Sequence, residues 1–117
     1  MDVLNPVSVE QAIRECSNRI SKGVIACNRT YIEFLDADRH FDAAVARAFF
    51  NSEGSVEARK HAVVLATIDE REARDAADAA YRYCDRTAKA LENELRAYQS
   101  LNASLRAQYQ IAGVGEH

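Results

Sequence analysis

Only one interior stretch of this sequence gathers the residues that build turns, N-S-E-G-S at positions 51–55. The chain has one Pro and four Gly among 117 residues, so it offers few positions for the repeated turns of an antiparallel sheet. Alanine and arginine, both strong helix formers, dominate the second half. The sequence therefore predicts an all-α protein with long helices on either side of one turn.

The segment before the turn has apolar residues at the helical steps of three, four or seven. Pro6 precedes an S-x-x-Q capping box that begins at Ser8, which predicts a helix over about residues 8–50. Gly23 lies inside that helix, where glycine costs about 1 kcal/mol relative to alanine. The predicted core-facing residues are Ile13, Cys16, Ile20, Val24, Cys27, Tyr31, Phe34, Phe41, Val45 and Phe49.

Two further helices are predicted after the turn. Ser55 is a candidate N-cap, with Glu57 in the first turn, for a short helix over about 55–66. A T-x-x-E match that begins at Thr67 indicates a break before a long helix over about 68–110, although such a match also arises by chance in a charged helix. Glycines then predict a flexible tail over 111–117. The core-facing residues of the last helix are predicted as Ala73, Ala77, Ala80, Cys84, Ala88, Leu91, Leu95, Tyr98, Leu101 or Asn102, Leu105 and Tyr109.

Two long helices that cannot bury their apolar stripes alone are expected to pack antiparallel. The predicted fold is a single domain, a long coiled-coil-like helical hairpin with a short middle helix, assembling into a helical bundle. Folding the chain back places the aromatic end of the first helix near the alanine-rich start of the last, and large against small fills space well. It also places residues 13–24 near 91–105, with Phe34 and Leu91 buried.

The stretch R-A-Y-Q-S-L-N-A-S-L-R-A-Q-Y-Q at 96–110 is predicted to be helical, with small polar residues where another chain can approach. Its apolar residues do not all fit one narrow stripe, and exposed apolar surface of that extent usually marks an interface. The sequence predicts a homodimer with a four-helix arrangement. The residues predicted to lie at this interface are Tyr98, Leu101, Asn102, Leu105 and Tyr109.

The net charge of −3 is not typical of a general nucleic-acid binder, but the predicted hairpin concentrates cations in the half that holds the termini. One interpretation is nucleic-acid contact; the other is that Arg serves as a soluble helix former and that cations suit a helix C-terminus. The cations of the first helix in this half are Arg14, Arg19, Lys22 and Arg29. The candidates for nucleic-acid contact are Arg82, Arg86, Lys89, Arg96 and Arg106.

No catalytic residue, cofactor or metal site is predicted. Three cysteines make an odd count, which argues against a disulfide framework and favours small buried side chains. No Cys or His pair has zinc-ligand spacing. The acidic residues Glu33, Asp36, Asp38 and Asp42, beside His40, are interpreted as a solvated helix face. We expect no membrane span and no secretory signal, and therefore an intracellular protein.

Two stretches together resemble a group of small helical proteins of tailed bacteriophages. The first is N-S-E-G-S-V-E-A-R-K-H-A at 51–62, in which Gly54, Ser55 and Arg59 match a G-S-x-x-x-R segment. The second is L-R-A-Y-Q-S-L-N-A-S-L-R-A-Q at 95–108, in which Ser100, Leu101 and Arg106 match the closing pattern of a long helix.

The resemblance covers most of residues 50–109 and implies a phage protein in the host cytoplasm, encoded near recombination and replication genes. The expected function is that of a non-enzymatic helical interaction protein, an accessory to DNA replication or recombination. The alternatives are a direct nucleic-acid-binding protein that uses the Arg-rich half and a structural or virion-associated oligomer.

Overall fold

The computed structural model describes residues 5–115 and contains three helices. Helix α1 spans Pro6–Asn51, α2 spans Val56–Ala66 and α3 spans Ile68–Gly115. The two long helices pack against each other as a hairpin, and no strand occurs within residues 5–115. The all-α hairpin with a short middle helix is confirmed.

Helix α1 begins two residues before its predicted start because the capping residue is Asn5, and Ser8 is not the N-cap. The Ser8 backbone N–H donates to Asn5 Oδ1 at 2.9 Å, and the Asn5 N–H donates to Ser8 Oγ at 3.2 Å. This is the reciprocal arrangement of a capping box, with Ser8 in the position usually held by Glu or Gln. Pro6 is the first helical residue, where its missing N–H costs nothing.

The predicted turn joins α1 to α2 through local hydrogen bonds and one glycine. The Ser52 hydroxyl donates to the Phe49 carbonyl oxygen at 2.8 Å, which satisfies a group at the end of α1. Gly54 has a φ of 106°, a left-handed conformation that favours glycine. Ser55 is the N-cap of α2, and its Oγ accepts the Ala58 N–H at 3.2 Å.

The predicted break between α2 and α3 lies at Thr67, but the capping box proposed for it does not form. Thr67 has φ −120° and ψ 23°, outside helical geometry, and it is almost fully buried. Its hydroxyl donates backward to the Val63 carbonyl oxygen at 2.8 Å and does not cap the N–H of Glu70. Its own carbonyl oxygen accepts the Arg71 N–H at 3.0 Å, the first helical bond of α3. The break therefore lies at a buried residue whose hydroxyl is bonded to the preceding helix.

Helix α3 continues five residues beyond its predicted end at Gln110. Residues 111–115 are helical, which contradicts the predicted flexible tail there, and 116–117 lie outside the described residues. Gly113 does not adopt the left-handed conformation by which a glycine usually ends a helix. The helical hydrogen bonding therefore passes through it.

The chain separates into two compact units, each with one segment of α1 and one of α3. The terminal unit comprises residues 1–25 and 86–117, of which 5–25 and 86–115 are described, and the turn unit comprises residues 26–85. In the terminal unit, Cys16 Sγ donates to the Leu91 carbonyl oxygen at 3.2 Å, and Arg106 Nη2 lies 3.2 Å from Glu10 Oε1. The lower residue number on α1 is paired with the higher residue number on α3, so the two segments run antiparallel.

The terminal unit has a small core, as expected where two helices enclose little interior. Val9, Cys16 and Leu91 are buried. The expected proximity of residues 13–24 to 91–105 is present, since Ile13 and Asn102 line one groove in addition to the Cys16–Leu91 bond.

The turn unit covers its aromatic residues with arginines. The guanidinium groups of Arg71 and Arg74 lie 5.7 and 5.5 Å from the Phe41 ring centroid, and Arg59 lies 5.6 Å from that of Phe49. We expected alanines of α3 to fill this role. An arginine covers a ring with an apolar stem and a stackable plane while its charge reaches solvent.

Some residues of the predicted stripes are less buried than expected. Phe34 is half-buried and not fully buried as expected. Two contacts of α3 lie one residue after the predicted positions Ala73 and Ala80, since Arg74 and Tyr81 contact α1 through Asp38 and Tyr31. The stripe residues that are exposed are Val24, Tyr31, Ala73, Ala80 and Tyr109.

Candidate functional site

The turn unit has an apolar groove on its surface. It has a volume of about 600 Å³ and opens to solvent. Its walls come from the end of α1, from α2 and from the first turns of α3. The lining residues are Phe41, Val45, Ala46, Phe49, Phe50, Lys60, Val63, Val64 and Arg71.

Phe50 distinguishes this groove from the shallow depressions that commonly form between packed helices. The side chain is 84% exposed although it lines the groove, so its ring is available to a partner. Leu65 on α2 is 72% exposed, and Val56, Val64 and Ile68 are also exposed. Single exposed apolar residues are common, but a large group of them in one unit usually marks an interaction surface.

Both charged residues that line the groove are cations. Lys60 Nζ lies 3.7 Å from Glu57 Oε1 on the exposed side of α2, a contact that contributes little stability. The guanidinium of Arg71 lies over the Phe41 ring and is exposed. The groove therefore presents an apolar floor with a positive edge, which suits a ligand that is apolar and anionic.

Two cysteines meet across the turn unit, an arrangement that the sequence analysis missed. The Cys27 thiol on α1 donates to Cys84 Sγ on α3, with 2.8 Å between the sulfurs. Both residues are half-buried, whereas Cys16 is buried as predicted. The hydrogen bond to Cys84, partial burial and the charges of Cys84 and Asp85 raise the pKa of Cys27 from 9.0 to about 11.

Two of the acidic residues predicted to form a solvated face make ion pairs, one within α1 and one between α1 and α3. Arg39 pairs with Asp36, and Arg74 Nε donates to Asp38 Oδ1 at 2.7 Å. No group of three or more His, Cys, Asp or Glu side chains within the described part of the chain could hold a metal ion.

The basic candidates are divided between the two units. Arg82 belongs to the turn unit, where its Nε lies 3.0 Å from Asp78 Oδ1. Arg86, Lys89, Arg96 and Arg106 are exposed residues of the terminal unit.

Arg106 lines a groove of the terminal unit together with Arg14 of α1. Glu10 lines the same groove and is the residue that pairs with Arg106. The terminal unit has seven Lys or Arg and six Asp or Glu, and the turn unit has eight and twelve. The charge asymmetry has the expected sign, but the positive excess of the terminal unit is a single charge.

The residues predicted to lie at an oligomer interface are partly accessible in the terminal unit. Tyr98, Leu101, Asn102 and Leu105 are half-buried, and Tyr109 is 61% exposed. Asn102 Oδ1 is buried and has no hydrogen-bond partner among the described residues. Leu105 and Tyr109 also line a shallow concavity with Gln108 and Ala112.

Comparison of the chain with protein-family models, with curated proteins and with solved structures finds no match in any of the three. The fold and the surfaces described above define an all-α helical hairpin protein with an exposed apolar groove. No helix in the described part of the chain has both the length and the apolar character needed to cross a membrane.

Proposed function

We propose that this protein is a non-enzymatic helical interaction protein, and that the groove of the turn unit binds the apolar face of an acidic amphipathic helix from a partner protein. The observation that carries the proposal is the 84% exposure of Phe50 on the groove wall. A phenylalanine that no side chain covers leaves on the order of 2 kcal/mol of burial free energy available to a partner. An aromatic residue in an apolar pocket is a typical binding hot spot.

The charge of the groove supports an acidic partner. Lys60 and Arg71 line an otherwise uncharged surface. A helix that lays apolar residues at positions i, i+3, i+4 and i+7 into a groove places its flanking residues at the groove edges. Glutamates at those positions would meet the two cations, whereas lysines would be repelled. Such edge charges set specificity and association rate more than affinity.

A pair of synthetic helical peptides tests this proposal. Both carry leucines at i, i+3, i+4 and i+7; one has glutamates at the flanking positions and the other has lysines. Fluorescence anisotropy measures their binding to the full chain, with the expectation that the glutamate peptide binds at least tenfold more tightly. Phe50→Ser should weaken that binding at least tenfold, and Lys60→Glu should reduce the preference for glutamate. Tyr83→Ser, at another aromatic residue that is 74% exposed, is the matched control and should change neither.

Equal binding of both peptides, or equal binding by wild type and Phe50→Ser, would overturn the proposal. Sedimentation velocity without peptide identifies the competing occupant. If Phe50→Ser converts a dimer into a monomer, the groove binds a second copy of this chain instead of an acidic helix.

We further propose, from the resemblance of residues 50–109 to small helical phage proteins, that the partner belongs to phage DNA replication or recombination. This setting is a proposal about context and does not depend on the groove. Affinity purification from phage-infected cells, with Phe50→Ser as the control bait, tests it. Recovery of a replication or recombination protein by wild type but not by the variant is the expected result.

Self-association through residues 95–109 is a separate proposal. It would also be required if the protein is a structural or virion-associated oligomer. The 61% exposure of Tyr109 supports it, because an accessible aromatic side chain is available to a second chain. We propose a homodimer with a four-helix arrangement. Tyr109→Ser should weaken the dimer, and Tyr83→Ser should not.

Direct nucleic-acid binding is the second candidate function, favoured by the groove that Arg14 and Arg106 share in the terminal unit. The Glu10 carboxylate beside Arg106 opposes it. An electrophoretic mobility shift assay at low salt tests whether the protein binds nucleic acid. A shift that Arg14→Ala and Arg106→Ala remove together would favour nucleic-acid binding, and no shift with single- or double-stranded DNA or RNA would exclude it.

A further inference from the structure

The two thiols that meet across the turn unit differ from the third cysteine in what surrounds them. Cys16 is buried and its thiol donates to the Leu91 carbonyl oxygen, so it is a satisfied core residue. Cys27 lies 11 residues further along α1, which is about 16 Å at the rise of an α-helix, so Cys16 is too distant to pair with it. Cys27 and Cys84 are half-buried and hydrogen-bonded to each other.

We infer that Cys27 and Cys84 form an oxidative modification site, in which a low-molecular-weight disulfide such as glutathione disulfide converts the thiol pair into an intrachain disulfide between α1 and α3. This inference is independent of the proposed binding function. It rests on the placement of two accessible sulfurs against each other by antiparallel packing of the two helices.

The geometry brings the sulfurs to within a short movement of bonding. They are 2.8 Å apart, and a disulfide bond is about 2.05 Å long, so roughly 0.8 Å of approach is required. Contacts on the same side of the turn unit hold the helices in this register. The rings of Tyr31 and Tyr81 have centroids 5.1 Å apart, and the Asp38–Arg74 ion pair lies further along.

The reaction balances as two thiol–disulfide exchanges. A thiolate of the pair attacks glutathione disulfide, forms a mixed disulfide and releases one glutathione thiolate. The second cysteine then attacks the protein sulfur of the mixed disulfide, the intrachain bond forms, and a second glutathione thiolate leaves. The protein loses two electrons and two protons, and one glutathione disulfide becomes two thiols. The second step is intramolecular, which favours it over attack by another molecule.

The environment of Cys27 disfavours it as the attacking thiol at neutral pH. The pKa of Cys27 is raised to about 11, mainly by its hydrogen bond to Cys84, so little of it is thiolate. We therefore expect Cys27 to form the mixed disulfide slowly and the intrachain disulfide to follow quickly, unlike the rapid reaction of a peroxide sensor.

The test incubates the reduced, full-length protein with glutathione disulfide, blocks remaining thiols under denaturing conditions, and maps the cysteines by mass spectrometry. The expected product has lost two hydrogen atoms, links Cys27 to Cys84 and leaves Cys16 free. Cys16→Ser, the matched control, should give the same linkage. Cys27→Ser and Cys84→Ser should each stop at a mixed disulfide with glutathione, because the resolving thiol is absent.

Thermal unfolding gives a second measurement that does not depend on the mapping. The oxidised wild type should melt on the order of 10 °C above the reduced form, because the bond closes the long loop from residue 27 to 84. Cys16→Ser should show the same increase and Cys84→Ser none. A stable glutathione adduct on wild type, a linkage that involves Cys16, disulfide-linked dimers or an absence of reaction would each overturn the inference.

Discussion

Truncation of Leu91 to alanine tests the packing of the terminal unit. Leu91 is 8% exposed and its backbone carbonyl accepts the Cys16 thiol, so it is a buried residue at the contact between α1 and α3. Leu→Ala changes in protein cores cost about 2–5 kcal/mol. A two-helix core is thin and solvent can reach the vacated space, so we expect about 2–3 kcal/mol here. The gain in helix propensity from alanine is too small to offset this loss.

Leu65→Ala is the matched control, because Leu65 is also helical but 72% exposed. Surface substitutions of this kind change the free energy of unfolding by less than about 0.5 kcal/mol. Urea unfolding followed by far-ultraviolet circular dichroism measures both variants. A local measurement is the labelling rate of Cys16 in a background that lacks the other two cysteines, which Leu91→Ala should increase roughly 30- to 140-fold. Equal effects of the two substitutions would show that the inferred core lies on the wrong face.

Four further predictions concern the cap, the assembly, the charges and the thiol. Asn5→Ala should lower the free energy of unfolding by about 1 kcal/mol, measured in urea, because it removes one half of the reciprocal cap; no change would contradict the cap. Sedimentation velocity at micromolar concentration should give a dimer, and a single species near 13.0 kDa would refute it. If nucleic acid binds, Arg86→Ala with Lys89→Ala should weaken binding and reduce the salt slope by about two units, whereas an unchanged slope would place the contacts elsewhere. Because the pKa of Cys27 is raised from 9.0 to about 11, its contribution to stability is complete below pH 9 and is lost as the pH rises through 11. Cys27→Ser should lessen this alkaline loss, and an identical pH profile would contradict the assignment.

The local features of the fold could be predicted because short stretches of sequence specify them. The turn at 51–55 contains a glycine with positive φ and a serine N-cap, and both act within a few residues of themselves. The break at Thr67 was located, although its predicted mechanism was wrong. A T-x-x-E match does not indicate whether the hydroxyl caps the next helix or, as here, bonds to the preceding one. The start of α1 was wrong by two residues and the end of α3 by five, whereas the other helix ends agree within one residue.

The candidate groove and the thiol pair were not predicted because they depend on the register between helices. Helical spacing indicates which residues of α1 share a face, but a shift of one residue along α3 changes which side chains they meet. Ala80 was predicted to contact α1, and the structure places Tyr81 there, against Tyr31. Cys27 and Cys84 both lie on predicted stripes, on opposite sides of the turn at 51–55. Their similar distances from that turn are the sequence feature that indicates the pair.

Three helices, their order and the antiparallel hairpin can be derived from the sequence, because capping residues, one glycine turn and apolar periodicity act locally or along single helices. The packing between helices places arginines over Phe41 and Phe49, leaves Phe50 exposed beside them and brings two thiols together. Each of these outcomes depends on the distance between residues that are separated in the chain. That distance depends on how the two helices pack against each other, and it cannot be derived from the sequence of either helix alone.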